Sequence, residues 1–141
     1  MALFKNSVLL FEVATGKPLR VMDGKAEWSL DSVVFSPDGK QLAACDGFTV
    51  KIWDAQTGQN LFTLNGGGSV FSLAYSPDGK LLASGNSSGG VKLFDAATGK
   101  LMRYLEGHKE VVGDLAFSPD GTKLASGSWD NTAAVWDVTE K

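Results

Sequence analysis

The chain contains one histidine, His108, and one cysteine, Cys45, the side chain types best suited to metal binding and to nucleophilic or acid–base catalysis. A single histidine cannot supply the paired histidines of the usual zinc motifs, and a single cysteine cannot form a disulfide within the chain. We therefore expect His108 to be a hydrogen-bonded structural residue and Cys45 to be a small strand residue, and we predict neither a metal site nor a catalytic site.

Two further patterns could bind ions. Glycine-lysine pairs occur at four turns, but none is followed by the serine or threonine of a phosphate-binding loop. Asp38, Asp78 and Asp120 recur after proline and could form an acidic rim for a cation, although capping of their own turns explains them more simply. The run Gly66-Gly67-Gly68 is interpreted as a flexible loop, with anion binding as the alternative. The sequence thus predicts no cofactor.

The 141 residues carry a formal net charge of −3, with acidic and basic side chains interspersed. Binding to phosphate backbones requires a concentrated basic face, so we do not expect nucleic acid as a partner. No apolar stretch approaches the ~20 residues of a membrane span. The apolar run from Val8 to Phe11 is too short for a signal peptide. We expect a cytoplasmic protein that does not contact membranes.

Two landmarks repeat along the chain. An aromatic residue followed by Ser-Pro-Asp-Gly begins at Phe35, Tyr75 and Phe117, and its serines are 40 and 42 residues apart. A period of roughly forty residues is typical of stacked units, none of which can bury its apolar face alone. The second landmark is an aromatic residue followed by an acid, with acids 42, 41 and 42 residues apart: Phe11-Glu12, Trp53-Asp54, Phe94-Asp95 and Trp136-Asp137.

Each repeat contains the signals of four short antiparallel strands. In the third copy, the segments from Val111 to Phe117, Lys123 to Ser128 and Thr132 to Trp136 alternate with tight turns. A fourth strand follows each Thr-Gly turn between copies. No segment has an amphipathic helical pattern, so the predicted class is all-β.

Three Ser-Pro-Asp-Gly turns in phase with the aromatic-acid pairs resemble the blades of a WD-repeat (WD40) β-propeller, and the resemblance covers essentially the whole chain. It implies a β-propeller of four-stranded antiparallel blades, with about three blades and an extra N-terminal strand per chain. The family also carries a Gly-His pair at the start of each repeat, which is present here once, as Gly107-His108. The resemblance further implies a buried hydrogen-bond network in the third copy, formed by His108, Ser126, Asp130 and Trp136. Because this network uses the three polar groups, we expect no Ser-His-Asp catalysis.

The first two copies depart from this network. In the first, Ala44 stands at the position of Ser126, and Asp46 is an uncertain match for Asp130. In the second, Ser88 replaces the acid and Phe94 replaces the tryptophan. We therefore expect these two blades to depend on apolar packing and the third to be the most rigid.

The predicted divisions are residues 1–22 for the terminal strands, 23–64 for the first repeat, 65–105 for the second, and 106–141 for the third, which lacks its last strand. A propeller needs roughly four to eight blades. Two interpretations remain. Either the chain self-associates to close the ring, as a homodimer or higher oligomer, or it is a fragment of a larger WD-repeat protein. We favour a homodimer, in which the strand near Pro18–Met22 completes the last blade of its neighbour.

The resemblance implies a non-catalytic scaffold that binds proteins or peptides on the face formed by the loops between fourth and first strands and between second and third strands. A small-ligand or glycan-binding propeller and a purely structural assembly module are the alternatives. The candidate contact residues carried over from the family, with Trp28 added because exposed aromatics anchor interfaces, are Trp28, Ser29, Asp31, Ser69, Phe71, Ser87, Val111, Gly113 and Trp129.

Overall fold

The computed structural model describes residues 7–23 and 30–139, and these contain thirteen β-strands and no helix. The predicted all-β class is confirmed, and neighbouring strands within each sheet are antiparallel. The strands form four successive sheets, which we number 1 to 4. Sheet 1 contains β1 (Ser7–Phe11) and β2 (Pro18–Asp23); sheet 2 contains β3 (Leu30–Phe35), β4 (Gln41–Asp46), β5 (Thr49–Asp54) and β6 (Asn60–Asn65); sheet 3 contains β7 (Val70–Tyr75), β8 (Leu81–Asn86), β9 (Gly90–Asp95) and β10 (Leu101–Glu106); sheet 4 contains β11 (Val112–Phe117), β12 (Lys123–Ser128) and β13 (Ala133–Asp137).

The Ser-Pro-Asp-Gly motif forms the turn between the first and second strands of sheets 2, 3 and 4. In sheet 2, the Asp38 carboxylate accepts hydrogen bonds from the Ser36 hydroxyl (2.6 Å) and the Lys40 amide (2.9 Å). Gly39 has φ of 71°, a conformation that glycine adopts without steric cost. The same bonds recur at Asp78 and Asp120, so the predicted self-capping of these turns is confirmed.

Apolar side chains between adjacent sheets form the core. Each sheet has a forward face, turned toward the next sheet along the chain, and a rear face, turned toward the preceding one. The forward face of sheet 2 packs against the rear face of sheet 3 through Ile52, Val50, Leu73 and Leu82. The contact between sheets 3 and 4 repeats this arrangement, and Met22 of sheet 1 packs on Trp53 of sheet 2. Burial of these faces is the main stabilising term of such stacked units.

The four sheets form an open series within the described part of the chain. Sheets 2 and 3 have four strands each, whereas sheet 1 has two and sheet 4 has three. Strand β1 pairs only with β2, and β13 pairs only with β12, among residues 7–23 and 30–139. Both end sheets therefore present a strand edge that no described strand covers.

Candidate functional site

The four residues of the implied network lie in hydrogen-bond contact in sheet 4. His108 Nε2 is 2.8 Å from Ser126 Oγ, and His108 Nδ1 is 3.2 Å from Asp130 Oδ2. The Trp136 indole N–H donates to the same serine oxygen at 2.8 Å. Asp130 also accepts the Lys109 amide at 2.9 Å, which ties the loop before β11 to the turn between β12 and β13.

The donors of this network fix its proton arrangement. Because the Asp130 carboxylate can only accept, the N–H of His108 lies on Nδ1, which faces Asp130 and the Thr132 hydroxyl (3.0 Å); in the neutral ring Nε2 then accepts from the Ser126 hydroxyl, whose oxygen accepts from Trp136. Hydrogen bonds from Thr132, the Lys109 amide and then His108 hold the pKa of Asp130 well below its ordinary value. The order Ser-His-Asp matches that of a hydrolase triad, but Ser126 is only 3% exposed and its oxygen is already occupied. The arrangement is therefore structural.

Sheet 3 replaces the network with one asparagine, which the sequence-based expectation missed. Asn86 is fully buried, donates to the Gly66 carbonyl (3.1 Å), and accepts from the amides of Ser88 and Gly90 (both 3.0 Å). It connects the loop before β7 to the turn after β8, as His108 does in sheet 4. Sheet 3 therefore has the expected apolar packing and, in addition, a buried polar link that the sequence did not predict.

Sheet 2 also contains a polar substitute for the network. Asp46 and Lys51 form a largely buried ion pair at 2.9 Å, so this sheet too has more than apolar packing. Strand pairing matches Asp46 with Ser128 and Asn86, not with Asp130, because β4 and β5 are joined by a two-residue turn. This turn is shorter than that of sheet 4 and contains no equivalent of Asp130.

Three of the predicted contact residues come together at the end of the sheets that carries the turns between second and third strands. Trp129 is 62% exposed, and its ring centroid lies 5.7 Å from that of the half-buried Phe71, at an angle of 54°. A Cβ added at Gly113 would lie 3.0 Å from the Trp129 indole nitrogen, so this glycine provides space for the indole. The aromatic cluster, meaning Phe71, Gly113 and Trp129, therefore spans sheets 3 and 4.

The remaining contact candidates lie at this end or outside the described residues. The Trp129 amide donates to the Val111 carbonyl (3.0 Å), and the Ser87 amide donates to the Ser69 carbonyl (2.8 Å), so each pair joins a loop to a turn. Asp31 is exposed near the start of β3. The Asp31 carboxylate also lies near Cys45. Burial mainly, and the charge of Asp31 to a smaller extent, raises the pKa of the Cys45 thiol. Trp28 and Ser29 fall outside the described residues.

Sequence reasoning missed two features, one at this end and one at the opposite end. Phe48 is exposed in the turn between β4 and β5, on the same end as the aromatic cluster, and its sequence signal was an aromatic residue next to Gly47. At the opposite end, Gln41 accepts from the Tyr75 hydroxyl (3.2 Å) and donates to the Ala96 carbonyl (3.2 Å). These bonds link sheets 2 and 3, and no local pattern predicts them.

A cavity of about 500 Å³ lies beside this Gln41 link, between the turns of sheets 2 and 3. A glycan-binding propeller would need aromatic side chains in such a pocket, and none lines this one. Its two carboxylates, Asp38 and Asp78, are engaged by their own turns. Among the described residues, no group of three or more His, Cys, Asp and Glu side chains is arranged to hold a metal ion, and no helix long and apolar enough to cross a membrane occurs. The cavity is lined by Ser36, Pro37, Asp38, Lys40, Gln41, Pro77, Asp78, Gly79, Ala96 and Ala97.

Comparison with known proteins adds the family context. The sequence profile described as "WD domain, G-beta repeat" matches residues 16–54 and 99–137, and that of the anaphase-promoting complex subunit 4 WD40 domain matches residues 57–112. The crystal structure of the RRP9 WD40 repeats is similar, with a TM-score of 0.80 and 28% identity over 84% of this chain and 38% of that one.

Curated relatives share the same repeats. The WD repeat-containing protein VIP3 of Arabidopsis thaliana is 39% identical over 119 residues, which cover 72% of this chain and 36% of VIP3. Periodic tryptophan protein 2 of the same plant is 34% identical over 108 residues, covering 75% of this chain and 12% of the relative. The ribosome biogenesis protein YTM1 of Phaeosphaeria nodorum is 36% identical over 115 residues, covering 77% and 24%. The chain thus spans little more than a third, at most, of these relatives.

Proposed function

The chain belongs to the WD-domain, G-beta repeat family, and from this membership we propose that it is a non-catalytic scaffold for protein–protein interaction. The observation that carries the proposal is the aromatic cluster, in which an exposed tryptophan rests on a second aromatic ring. Large aromatic side chains that are already held in place lose little entropy on binding and act as interface anchors. One end of the sheets is therefore the proposed docking face for a protein or peptide.

The name of the YTM1 relative assigns it to ribosome biogenesis, and the name of VIP3 mentions only its WD repeats. For this chain, we carry over the general role of binding proteins, without a particular partner. The burial of Ser126 supports the non-catalytic part of the proposal, because a nucleophile that substrate cannot reach cannot react.

The test compares the proteins captured from a lysate by the wild-type chain and by a Trp129→Ala variant, quantified by mass spectrometry. We expect Trp129→Ala to lose the specific partners while the fold, followed by circular dichroism, is unchanged. The matched control is Met102→Ala, an exposed apolar residue on β10 that lies away from the cluster. Equal capture by the wild type and Trp129→Ala would exclude the aromatic cluster as the docking site.

We further propose that the chain associates with a second copy of itself. The support is the exposure of apolar residues on the forward face of sheet 4, including Val135, and on the rear face of sheet 2, including Val33 and Phe35, whereas the equivalents of Val135 and Val33 in sheet 3, Leu93 and Leu73, are buried. Such faces favour association because burying them removes apolar area from water. Static light scattering at micromolar concentrations should give a mass of twice the 14.9 kDa of one chain.

A further inference from the structure

The forward face of sheet 4 lacks a neighbour among the described residues. Strand pairing places Val135 in sheet 4 where sheets 3 and 2 have Leu93 and Ile52. Leu93 and Ile52 are 1% and 0% exposed because the next sheet covers them, whereas Val135 is 72% exposed. Ala116, Ala125 and Ala133 on the same face are exposed as well. The face has the same apolar character as its equivalents but nothing described lies against it.

The rear face of sheet 2 also exposes apolar side chains. Val33 and Phe35 on β3 are 54% and 51% exposed, while Leu73, the equivalent of Val33 in sheet 3, is buried by sheet 2. A cavity of about 300 Å³ lies between β1 and β3, lined by residues 7–9 and 30–33. Sheet 1 does not fill this space because its two described strands correspond to the third and fourth strands of the other sheets. The open space corresponds to the first two strands.

Strand β2 has the sequence and pairing of a fourth strand. Its residues Pro-Leu-Arg-Val-Met-Asp match Leu-Met-Arg-Tyr-Leu-Glu of β10 position by position. The pairing register is also the same: Met22 lies opposite Val8 in sheet 1, as Leu105 lies opposite Val91 in sheet 3. In sheet 4, β13 is a third strand whose outer edge pairs with no described strand.

From these observations we propose that β13 of one copy takes the place of β1 beside β2 of a second copy; this rests on the proposed self-association. The exchange would carry β11 and β12 of the first copy over Val33 and Phe35 of the second. Both exposed faces are then buried against each other, in the arrangement that already joins sheets 2 and 3. When each chain gives its β13 to the β2 of the other, two chains form six four-stranded sheets. Both β1 strands are then left without a place in these sheets.

The side chains fit the exchanged register. Ala133 would lie opposite Met22, at the place that Val91 and Leu105 take in sheet 3, and this pair is smaller than the Val91 and Leu105 pair, so it enters the register without overpacking. Val135 would lie opposite Arg20, as Leu93 lies opposite Arg103. Strand β2 would therefore offer β13 neighbours of the same kind as those that β10 offers β9.

Strand β1 is held less firmly than β13. Its aromatic residue Phe11 is 49% exposed, whereas the equivalent Trp136 packs into the core and donates to Ser126. Strand β13 is also fixed by an ion pair between Lys123 and Asp137. The structure thus makes β1 the strand to be displaced.

The experiment locks β2 to β1 within one chain. In a Cys45→Ala background, which removes the natural thiol, Leu9→Cys and Val21→Cys place two cysteines directly opposite each other. Opposed residues of antiparallel strands are within disulfide reach. The proposal expects a dimer by light scattering when the pair is reduced and a monomer when it is oxidised. The matched control locks the equivalent pair in sheet 3, Lys92→Cys with Tyr104→Cys, and should leave the dimer unchanged in both states.

The outcomes separate this inference from the proposed self-association. A dimer that persists after oxidation of the Leu9 and Val21 pair would overturn strand exchange and leave self-association through another surface. A monomer in the reduced state would overturn both. A second measurement mixes an Ala134→Cys chain with a Val21→Cys chain, both in the Cys45→Ala background. We expect a covalent heterodimer that forms under oxidation, and its absence while the mixture is dimeric would also refute the exchange.

Discussion

Ser84 and Ser126 occupy the same position in successive sheets, but only one of them has hydrogen-bond partners. Ser126 binds both His108 and Trp136, whereas Ser84 is fully buried and its hydroxyl has none. The partners are missing because Phe94 stands where Trp136 does and glycines precede β7. A buried polar group without a partner costs about 1–3 kcal/mol relative to a paired one. The same residue type therefore stabilises one sheet and destabilises the other.

A matched pair of alanine substitutions tests this difference. Ser84→Ala should raise the free energy of unfolding by about 1 kcal/mol, because it removes the unpaired hydroxyl at a site where sheet 2 already has Ala44. Ser126→Ala should lower it by about 1–3 kcal/mol, because it leaves the His108 and Trp136 nitrogens unpaired. Urea denaturation measures both. Destabilisation of equal size in the two variants would contradict this account.

Acid should weaken the fold through the turn aspartates. The Ser118 hydroxyl, followed by the Thr122 amide and hydroxyl, lowers the pKa of Asp120 to about 2. Since the unfolded carboxyl titrates near its ordinary value of 3.8, the stabilising contribution is complete above about pH 4 and is lost as the pH falls through about 2. Asp120→Asn should therefore flatten the decline in stability over this window, measured by urea unfolding at several pH values. Ser118→Ala removes the hydrogen bond that lowers the pKa of Asp120 most, so it should flatten the decline as well. A decline as steep as that of the wild type in these variants would contradict the role of Asp120.

At the scale of strands and turns, local chemistry explains what the sequence could predict. The Ser-Pro-Asp-Gly turns were predictable because their capping bonds join residues two apart, and all three turns have these bonds. Asn86 and Gln41 were not predictable because their partners lie 20 and 55 residues away along the chain. The family resemblance named Phe71, Gly113 and Trp129 as separate candidates. Their contact could not be predicted, because the approach of Phe71 to Trp129 depends on how two sheets are stacked.

The hydrogen bond between Gln41 and Tyr75, which links sheets 2 and 3, can be measured as a coupling free energy between the two side chains. Burial raises the pKa of Tyr75 above its ordinary value, and its hydroxyl depends on Gln41 Oε1 as a partner. Gln41→Leu, which introduces the residue type of the equivalent Leu81, should lower the free energy of unfolding by about 1–2 kcal/mol. Tyr75→Phe added to it should recover part of the loss, since no hydroxyl is then left unpaired. Strict additivity of the two substitutions in a double-mutant cycle would contradict a direct bond.

At the scale of the whole molecule, the sheets form an open arc with apolar residues at both ends. Sheet 3 buries both of its faces against its neighbours, whereas the forward face of sheet 4 and the rear face of sheet 2 around Val33 and Phe35 are apolar and exposed. The period of the repeats predicted the stacking, and the count of strands predicted that one chain is too short for a ring. The sequence does not indicate which strand would be displaced in the proposed exchange. Strands β1 and β13 have equivalent sequence patterns and differ in the contacts that fix them to their own sheets.

A charge on the open forward face should prevent association. Val135→Lys places an ammonium group at a position that is 72% exposed in the single chain, so the substitution should cost the monomer little stability. In the dimer, the same group would be buried against the rear face of sheet 2 without a partner, which is strongly unfavourable. We expect the dissociation constant to rise at least about tenfold, corresponding to about 1.4 kcal/mol. The control Val13→Lys, at a turn position that is 99% exposed, should associate as the wild type does.

The measurement that tests the account most directly is sedimentation equilibrium of the wild-type chain over a range of micromolar concentrations, with Val135→Lys run beside it. The account predicts a wild-type mass of twice one chain, falling toward one chain on dilution, and a single-chain mass for Val135→Lys. A wild-type chain that sediments as a folded monomer at every concentration would contradict the claim that the open ends of the arc are covered by a second copy.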